Sequence, residues 1–327
     1  YNISCLDSAD GAIKLYTSTN GRTGRTYNYE WDGPPDAVLN PELKADSQIN
    51  IPDGTYTIHI EDQIGCSKDT VITLIEPPPI LSAANLSDYN DYEIACHDSS
   101  DGWISVDISG GLGPYSYKWM SITDGTISIP DQDSIYGLSA GEYELTVTDT
   151  LNCVRSWTYH LDQPLPISTT EELRDYHGYN VSCAGDMNGE VLSLNTLGGL
   201  GDYQYLWSRF SDPGWTDTTE TPSGLPADTL RVEVRDMNNC LYVDTIILTE
   251  PDPLVVDSFK WLEITCNADD DGIAWVYVSG GVDHLPYDYS WDNPDASSID
   301  TALNLSVGWY HVDITDANGC KTDSSVY

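Results

Sequence analysis

The chain has very few phenylalanines, few basic side chains and no long apolar run. Two Phe stand against 22 Tyr and 10 Trp, so the aromatic surface keeps a polar edge near water, which suits half-buried β faces. Only 13 Lys and Arg oppose 53 Asp and Glu, for a formal charge of −40. That charge repels nucleic acid and anionic membrane surfaces and leaves cations and neutral sugars as candidate partners. No stretch of about 18 apolar residues is present, so no direct membrane insertion is expected in this segment. No basic-then-apolar signal opens it. Tyr1 starts inside one repeat and Tyr327 stops inside another, so a signal, anchor or sorting domain is expected outside this stretch. Catalytic signatures are missing too: there is no G-x-S-x-G, H-E-x-x-H or phosphate-binding glycine loop. His59, His97, His160, His177, His284 and His311 do not recur at equivalent places, and acidic pairs are too many to single out a dyad. Neither enzymatic activity nor a catalytic cofactor is expected.

Repetition is what the chain does have. Its eight cysteines fall as Cys5/Cys66, Cys96/Cys153, Cys183/Cys240 and Cys266/Cys320, with separations of 61, 57, 57 and 54 and starts 91, 87 and 83 residues apart. An even, regular count without C-x-x-C points to structural disulfides in an oxidising compartment, not zinc. The spacing predicts one disulfide inside each copy, each worth roughly 4 kcal/mol in the chain-entropy model.

Other features keep the same period. After each early cysteine comes a turn ending in glycine: Asp7 to Gly11, Asp98 to Gly102, Gly185 to Gly189 and Asp269 to Gly272. An alternating strand follows, as Ile13/Leu15, Ile104/Val106/Ile108 and Ala274/Val276/Val278; the third copy breaks phase at Val191, Leu192 and Leu194, which predicts a bulge. Gly110-Gly111, Gly198-Gly199 and Gly280-Gly281, with Asn20-Gly21 in the first copy, lead into Tyr27/Tyr29/Trp31, Tyr115/Tyr117/Trp119, Tyr203/Tyr205/Trp207 and Tyr287/Tyr289/Trp291. With a strand period of two, each triplet lies on one face, read as core. A late strand (Tyr56/Ile58/Ile60, Tyr143/Leu145/Val147, Leu230/Val232/Val234, Tyr310/Val312/Ile314) ends in an Asp-x-x-[Gly/Asn]-Cys turn, and proline junctions begin at Glu76, Gln163 and Glu250. Prolines stiffen short junctions, which predicts a semi-rigid rod.

The fold expected is all-β: a tandem array of four immunoglobulin-like β-sandwich domains with one intradomain disulfide each, over residues 1–78 (lacking its first strand), 79–165, 166–252 and 253–327 (truncated at its end). The order Cys, Asp-Gly turn, Gly-Gly, Pro-Tyr-x-Tyr-x-Trp, Gly-Leu-x-Ala-Gly-x-Tyr, Val-x-Asp, Asn-Gly-Cys, Glu-Pro resembles the SprB repeat of Bacteroidota gliding and cell-surface adhesins, and more loosely PKD-type domains. The likeness covers essentially the whole chain. Gly110 to Trp119 and Gly137 to Tyr143 match it best, while the first copy departs in its Gly-Gly region and the third has Leu230 for the late tyrosine. The resemblance implies a very large protein of the bacterial cell surface, exported by a type IX pathway. It also implies O-glycosylation at Asp-[Ser/Thr]-apolar triplets, here Ser8, Thr70, Ser134, Thr150, Thr218, Thr229, Thr245 and Thr301, although β-rich acidic sequence also generates such triplets by ordinary alternation.

Other candidate sites are weaker. Trp103 and Trp275 lie out of phase with the apolar face of their strands and Trp309 adjoins Tyr310, so these rings are read either as packing or as contacts to a partner or glycan. Asp269, Asp270 and Asp271 concentrate charge and are the first place to look for calcium, although a plain hairpin turn explains them and the ligand ladder of a helical calcium loop is missing. The segments 32–53, 120–140, 208–227 and 292–307 differ most between copies and are the expected seat of partner specificity. Three functions follow as expectations: a stalk or adhesive segment that meets a surface or polysaccharide; a self-associating filament built by strand donation, because the first copy lacks the strand before Cys5; and a carbohydrate-binding module.

Overall fold

A computed structural model describes the chain except residues 17–25, 40–45, 124, 126–128, 131, 266–269, 283–284 and 294–298. The Asn20-Gly21 turn, Cys266, Asp269 and His284 lie outside the described residues. Two compact units, Tyr1–Gln163 and Pro164–Tyr327, each span two of the sequence copies. All described regular structure is antiparallel strand.

In the first unit the first copy carries β1 (Gly11–Lys14), β2 (Tyr27–Asp32), β3 (Ser47–Ile51), β4 (Gly54–Asp62) and β5 (Ser67–Leu74). The second carries β6 (Leu81–Leu86), β7 (Gly102–Ser109), β8 (Ser116–Ser121), β9 (Ile129–Pro130), β10 (Ser134–Leu138), β11 (Gly141–Thr148) and β12 (Val154–Leu161). Their sheets are ordered β1-β3 and β2-β4-β5, then β10-β7-β6 and β12-β11-β8-β9. In the second unit the third copy carries β13 (Ser168–Leu173), β14 (Gly189–Leu197), β15 (Gln204–Arg209), β16 (Thr216–Asp217), β17 (Ser223–Leu225), β18 (Asp228–Arg235) and β19 (Leu241–Leu248). The fourth carries β20 (Val255–Leu262), β21 (Gly272–Ser279), β22 (Asp288–Trp291), β23 (Thr301–Leu305), β24 (Tyr310–Thr315) and β25 (Lys321–Val326). The orders here are β13-β14-β17 and β16-β15-β18-β19, then β20-β21-β23 and β22-β24-β25.

Each pair of sheets encloses its own apolar cluster, built from the inward positions of the alternating strands. Trp119 and Trp207 are fully buried and Trp291 nearly so, while Trp31 is half-buried. Cross-strand partners repeat as well: Trp31 faces Ile58, Trp119 faces Leu145, Trp207 faces Val232 and Trp291 faces Val312. A buried indole needs an acceptor for its N–H. Nε1 of Trp119 donates to Gln132 O (2.9 Å), that of Trp207 to Thr219 O (2.8 Å) and that of Trp291 to Ile299 O (3.1 Å). The core tryptophan therefore anchors the segment that varies most between copies. The expected bulge is present: Glu172 pairs with Ser193 and Leu173 with Val191, so Leu192 is skipped.

The disulfide pattern overturns the expectation of one bridge inside each copy. Cys5 is bonded to Cys153 and Cys183 to Cys320, with Cα–Cα distances of 5.5 and 5.6 Å. Cys96 and Cys240 are also disulfide-bonded, and Cys66 is a free, exposed thiol. The pairs Cys5–Cys66, Cys96–Cys153, Cys183–Cys240 and Cys266–Cys320 are thus all excluded. The reason is where each cysteine stands. Cys66 lies in the β4–β5 hairpin, whereas the turn after Cys5 donates from Asp7 N to Glu76 just past the far end of β5 (3.0 Å). Asp98 N donates to Gln163 beyond β12 (2.8 Å), and Gly185 N to Glu250 beyond β19 (2.7 Å). Each of these last strands has eight residues, about 27 Å at the rise of an antiparallel strand. A disulfide spans only about 4.4–6.8 Å between Cα atoms. The two half-cystines of one copy therefore sit at opposite ends of it, and Cys5 and Cys183 each meet the late half-cystine of the following copy.

Candidate functional site: the joint between copies

The joint is built from the proline junction upward. Proline lacks an N–H and so cannot donate to a strand ladder, which ends the ladder at the junction. Gly111 N donates to Pro78 O (2.8 Å), Gly199 N to Leu165 O (2.8 Å) and Gly281 N to Asp252 O (2.7 Å). The glycine before each of these has φ of +76°, +79° and +77° at Gly110, Gly198 and Gly280. A Cβ there would stand 1.9, 1.9 and 2.0 Å from the carbonyl oxygen of Pro79, Pro166 and Pro253. Sterics and backbone conformation both demand glycine. The first tyrosine of each triplet closes the loop, as Tyr115, Tyr203 and Tyr287 donate through their hydroxyls to the carbonyls of Gly110, Gly198 and Gly280. Burial pushes the phenol pKa of Tyr203 up.

A buried aspartate then fastens this loop to the cysteine turn. Asp149 Oδ2 accepts from Leu112 N (2.9 Å), while its Oδ1 accepts from Leu151 N (2.8 Å) and Cys153 N (2.9 Å). Asp316 does the same with Val282 N, Asn318 N and Cys320 N (2.9, 2.9 and 2.8 Å). Asp236 takes Leu200 N (3.0 Å) and Cys240 N (2.9 Å). A carboxylate hidden from water is tolerable because several N–H donors converge on it. These aspartates stood in the sequence as turn formers; that they join two loops was not read there. The signal was their constant place four residues before each late cysteine.

The late cysteine delivered by this turn reaches the preceding copy. Cys153 Sγ lies 3.1 Å from Ser4 O and Cys320 Sγ 3.2 Å from Ser182 O, in each case the carbonyl just before the bonded early cysteine. In the second unit Asn318 adds a clasp. Its amide donates to Tyr176 O (3.1 Å) and Ser182 O (2.9 Å), and its Oδ1 lies 2.6 Å from His177 Nδ1. The early side is set by an Asx contact: Ser4 N donates to Asp10 (3.0 Å), Ala95 N to Asp101 (3.1 Å), Ser182 N to Asn188 (3.1 Å) and Thr265 N to Asp271 (3.0 Å). Hydroxyl donation from Ser4 and Thr265 holds the Asp10 and Asp271 carboxyls below the usual carboxylate range. Chemically the joint is a covalent staple embedded in a polar knot.

The remaining sequence candidates are scattered. Asp271 turns both oxygens to Thr265 and Asp270 is exposed; among the described residues no three metal-ligating side chains converge. Trp103 and Trp275 are half-buried on strands, and Trp309 is 70% exposed with its ring against Tyr327 at 5.5 Å between centroids. Trp261 and Val307 share with Tyr327 a groove of about 450 Å³ floored by Ile264. In the other copies Ile3, Ile94 and Val181 occupy that floor position, are buried, and donate their N–H to Ile75, Asp162 and Thr249 O. Of the glycosylation candidates, Thr150, Thr218 and Thr245 are exposed, and Ser8, Thr70, Ser134, Thr229 and Thr301 are half-buried.

The chain matches the SprB repeat at residues 93–124, 179–211 and 263–296, each match running from before an early cysteine through a Tyr-Tyr-Trp strand. No curated protein matches it in sequence. Solved structures similar to it include Dpr2 Ig1-Ig2 in complex with DIP-Theta Ig1-Ig3 (11% identity, 74% of this chain and 98% of that one, TM-score 0.26). Two others are the N-terminal eight Ig domains of the Down Syndrome Cell Adhesion Molecule (11%, 100% and 58%, 0.26) and the insect immune protein hemolin (13%, 99% and 97%, 0.23). TM-scores this low carry no argument about shared function.

Proposed function

We propose that this chain, built on SprB repeats, is a non-enzymatic stalk or adhesive segment of a secreted bacterial cell-surface protein, with four β-sandwich domains of which the first is spliced to the second and the third to the fourth by disulfides. The observation that carries the reading is the joint: early half-cystines bonded to the next copy's late ones, over a buried aspartate and a Gly-Gly loop that admits no side chain. Oxidised cysteines fit an extracellular site, and no helix of the described residues is long and apolar enough to cross a membrane. Pulled from its ends, such a chain passes tension from Cys5 directly to Cys153 and from Cys183 to Cys320. The residues between stay slack even if a sandwich opens. Specificity for a surface or polysaccharide belongs in this reading to the variable segments that the core indoles anchor, and exposed Thr218 and Thr245 are the foremost sites for O-linked sugar.

Single-molecule stretching tests it. The staples close separations of 148 and 137 residues, so reduction should add roughly 1,000 Å of contour at about 3.5 Å per residue. Equal contour with and without reductant would contradict the reading.

A second reading, a filament built by strand donation, is favoured by one observation. Among the described residues β1 pairs only with β3, whereas β7, β14 and β21 each have two partners. Tyr1 exchanges two backbone bonds with Ala12, and a donated strand would extend that pairing along β1. A monodisperse monomer in concentrated sedimentation runs would count against it.

A further inference from the structure

The free thiol of Cys66 stands where the second and fourth copies carry a completed joint. Its turn repeats theirs bond for bond. Asp62 Oδ1 accepts from Ile64 N and Cys66 N (3.0 Å each), as Asp149 does from Leu151 and Cys153 and Asp316 from Asn318 and Cys320. Asp62 N donates to Cys66 O (3.0 Å), matching Asp149 to Cys153 and Asp316 to Cys320. The bonded equivalents Cys153 and Cys320 are buried and hold an early half-cystine of the preceding copy. Around Cys66 the same surface is bare: the thiol is exposed, and Ile64 is 73% exposed where its equivalent Leu151 is 40%.

We propose that Cys66 is the receiving half of a further inter-copy disulfide, taking an early half-cystine of another copy of this repeat. The inference rests on the proposed function and extends it, because a connection from early to late half-cystines has no built-in end and propagates head to tail. The incoming group is a cysteine that precedes an Asp-Gly or Asn-Gly turn, presented with the carbonyl of the residue before it. It stands in the same polypeptide or in a second molecule; Cys266 has that place in this sequence. The bond forms by exchange. A small disulfide or a thiol–disulfide oxidoreductase first forms a mixed disulfide with the incoming cysteine and is released from it as a thiol. The Cys66 thiolate, having lost its proton to solvent, attacks the incoming sulfur and expels the second thiol of the oxidant. Two protein thiols are oxidised and one disulfide is reduced to two thiols.

The test is peptide mapping of the protein taken from its own cells and alkylated before lysis. The expected result is a Cys66 peptide joined to an early half-cystine peptide. Recovery of Cys66 as an alkylated thiol, or joined to a late half-cystine, overturns the inference. The source is read from the purified chain in oxidised and reduced glutathione. A ladder on non-reducing gels that is lost in Cys66→Ser and in Cys266→Ser assigns the partner to a second molecule, while a monomer assigns it to the same polypeptide. The Cys5–Cys153 peptide is the separate control: if it maps and Cys66 stays free, only this inference fails, and if it is missing, the joint itself fails.

Discussion

The first and second copies follow one plan and differ in how far it is filled. In the second, β7 has a strand on either side, Trp119 is sealed from solvent and Cys153 is bonded; in the first, β1 has one described partner, Trp31 is half-buried and Cys66 is free. Of these three differences, the bond at Cys153 is the one that a neighbouring copy supplies. Cys5 of the first copy even packs against the core cluster of the second.

The largest effect should come from removing a staple. Cys153→Ser opens a loop of 148 residues, and the chain-entropy relation gives a loss of about 5 kcal/mol. Calorimetry should show the first unit melting well below the second. Next is the tryptophan pair. Trp119→Ala should cost about 3–5 kcal/mol, with a cavity and an orphaned carbonyl at Gln132, and Trp31→Ala clearly less; equal losses in chemical denaturation would break the comparison. Asp149→Ala leaves the N–H groups of Leu112, Leu151 and Cys153 without their acceptor, at roughly 1–3 kcal/mol for a buried unsatisfied donor. Its signature is faster amide exchange at Leu112 and Cys153 before any global unfolding.

The smallest effect is the dependence on pH. A carboxyl whose pKa is lowered by folding contributes stability above its unfolded value of about 3.9, and that contribution is lost as pH falls through the folded value. Asp10 and Asp271 are lowered by the hydroxyls of Ser4 and Thr265, whereas the third copy has the neutral Asn188 in that place. Below about pH 4, Ser4 and Thr265 amides should exchange faster while Ser182 does not change. A parallel rise at all three would remove the carboxyl from the explanation.

Much of this was legible beforehand. Alternation placed the inward residues, the Val191-Leu192-Leu194 break marked the bulge, and the Tyr-Tyr-Trp triplets marked the core strand. Sulfur pairing was not legible, because a regular spacing repeats with the same period whether a cysteine bonds within its copy or to the next. Entropy does not choose either: loops of 61 and 148 residues differ by under about 1 kcal/mol. What decides is the length of the last strand, which holds the two half-cystines of a copy apart, and that needed the early turn to be placed against Glu76, Gln163 and Glu250. The role of the aspartates was hidden for a similar reason, since the Gly-Gly loop they bind lies far from them in sequence.

Non-reducing peptide mapping of the intact chain decides the central claim. Fragments joining Cys5 to Cys153 and Cys183 to Cys320 are predicted; fragments joining Cys5 to Cys66 and Cys183 to Cys240 would contradict it.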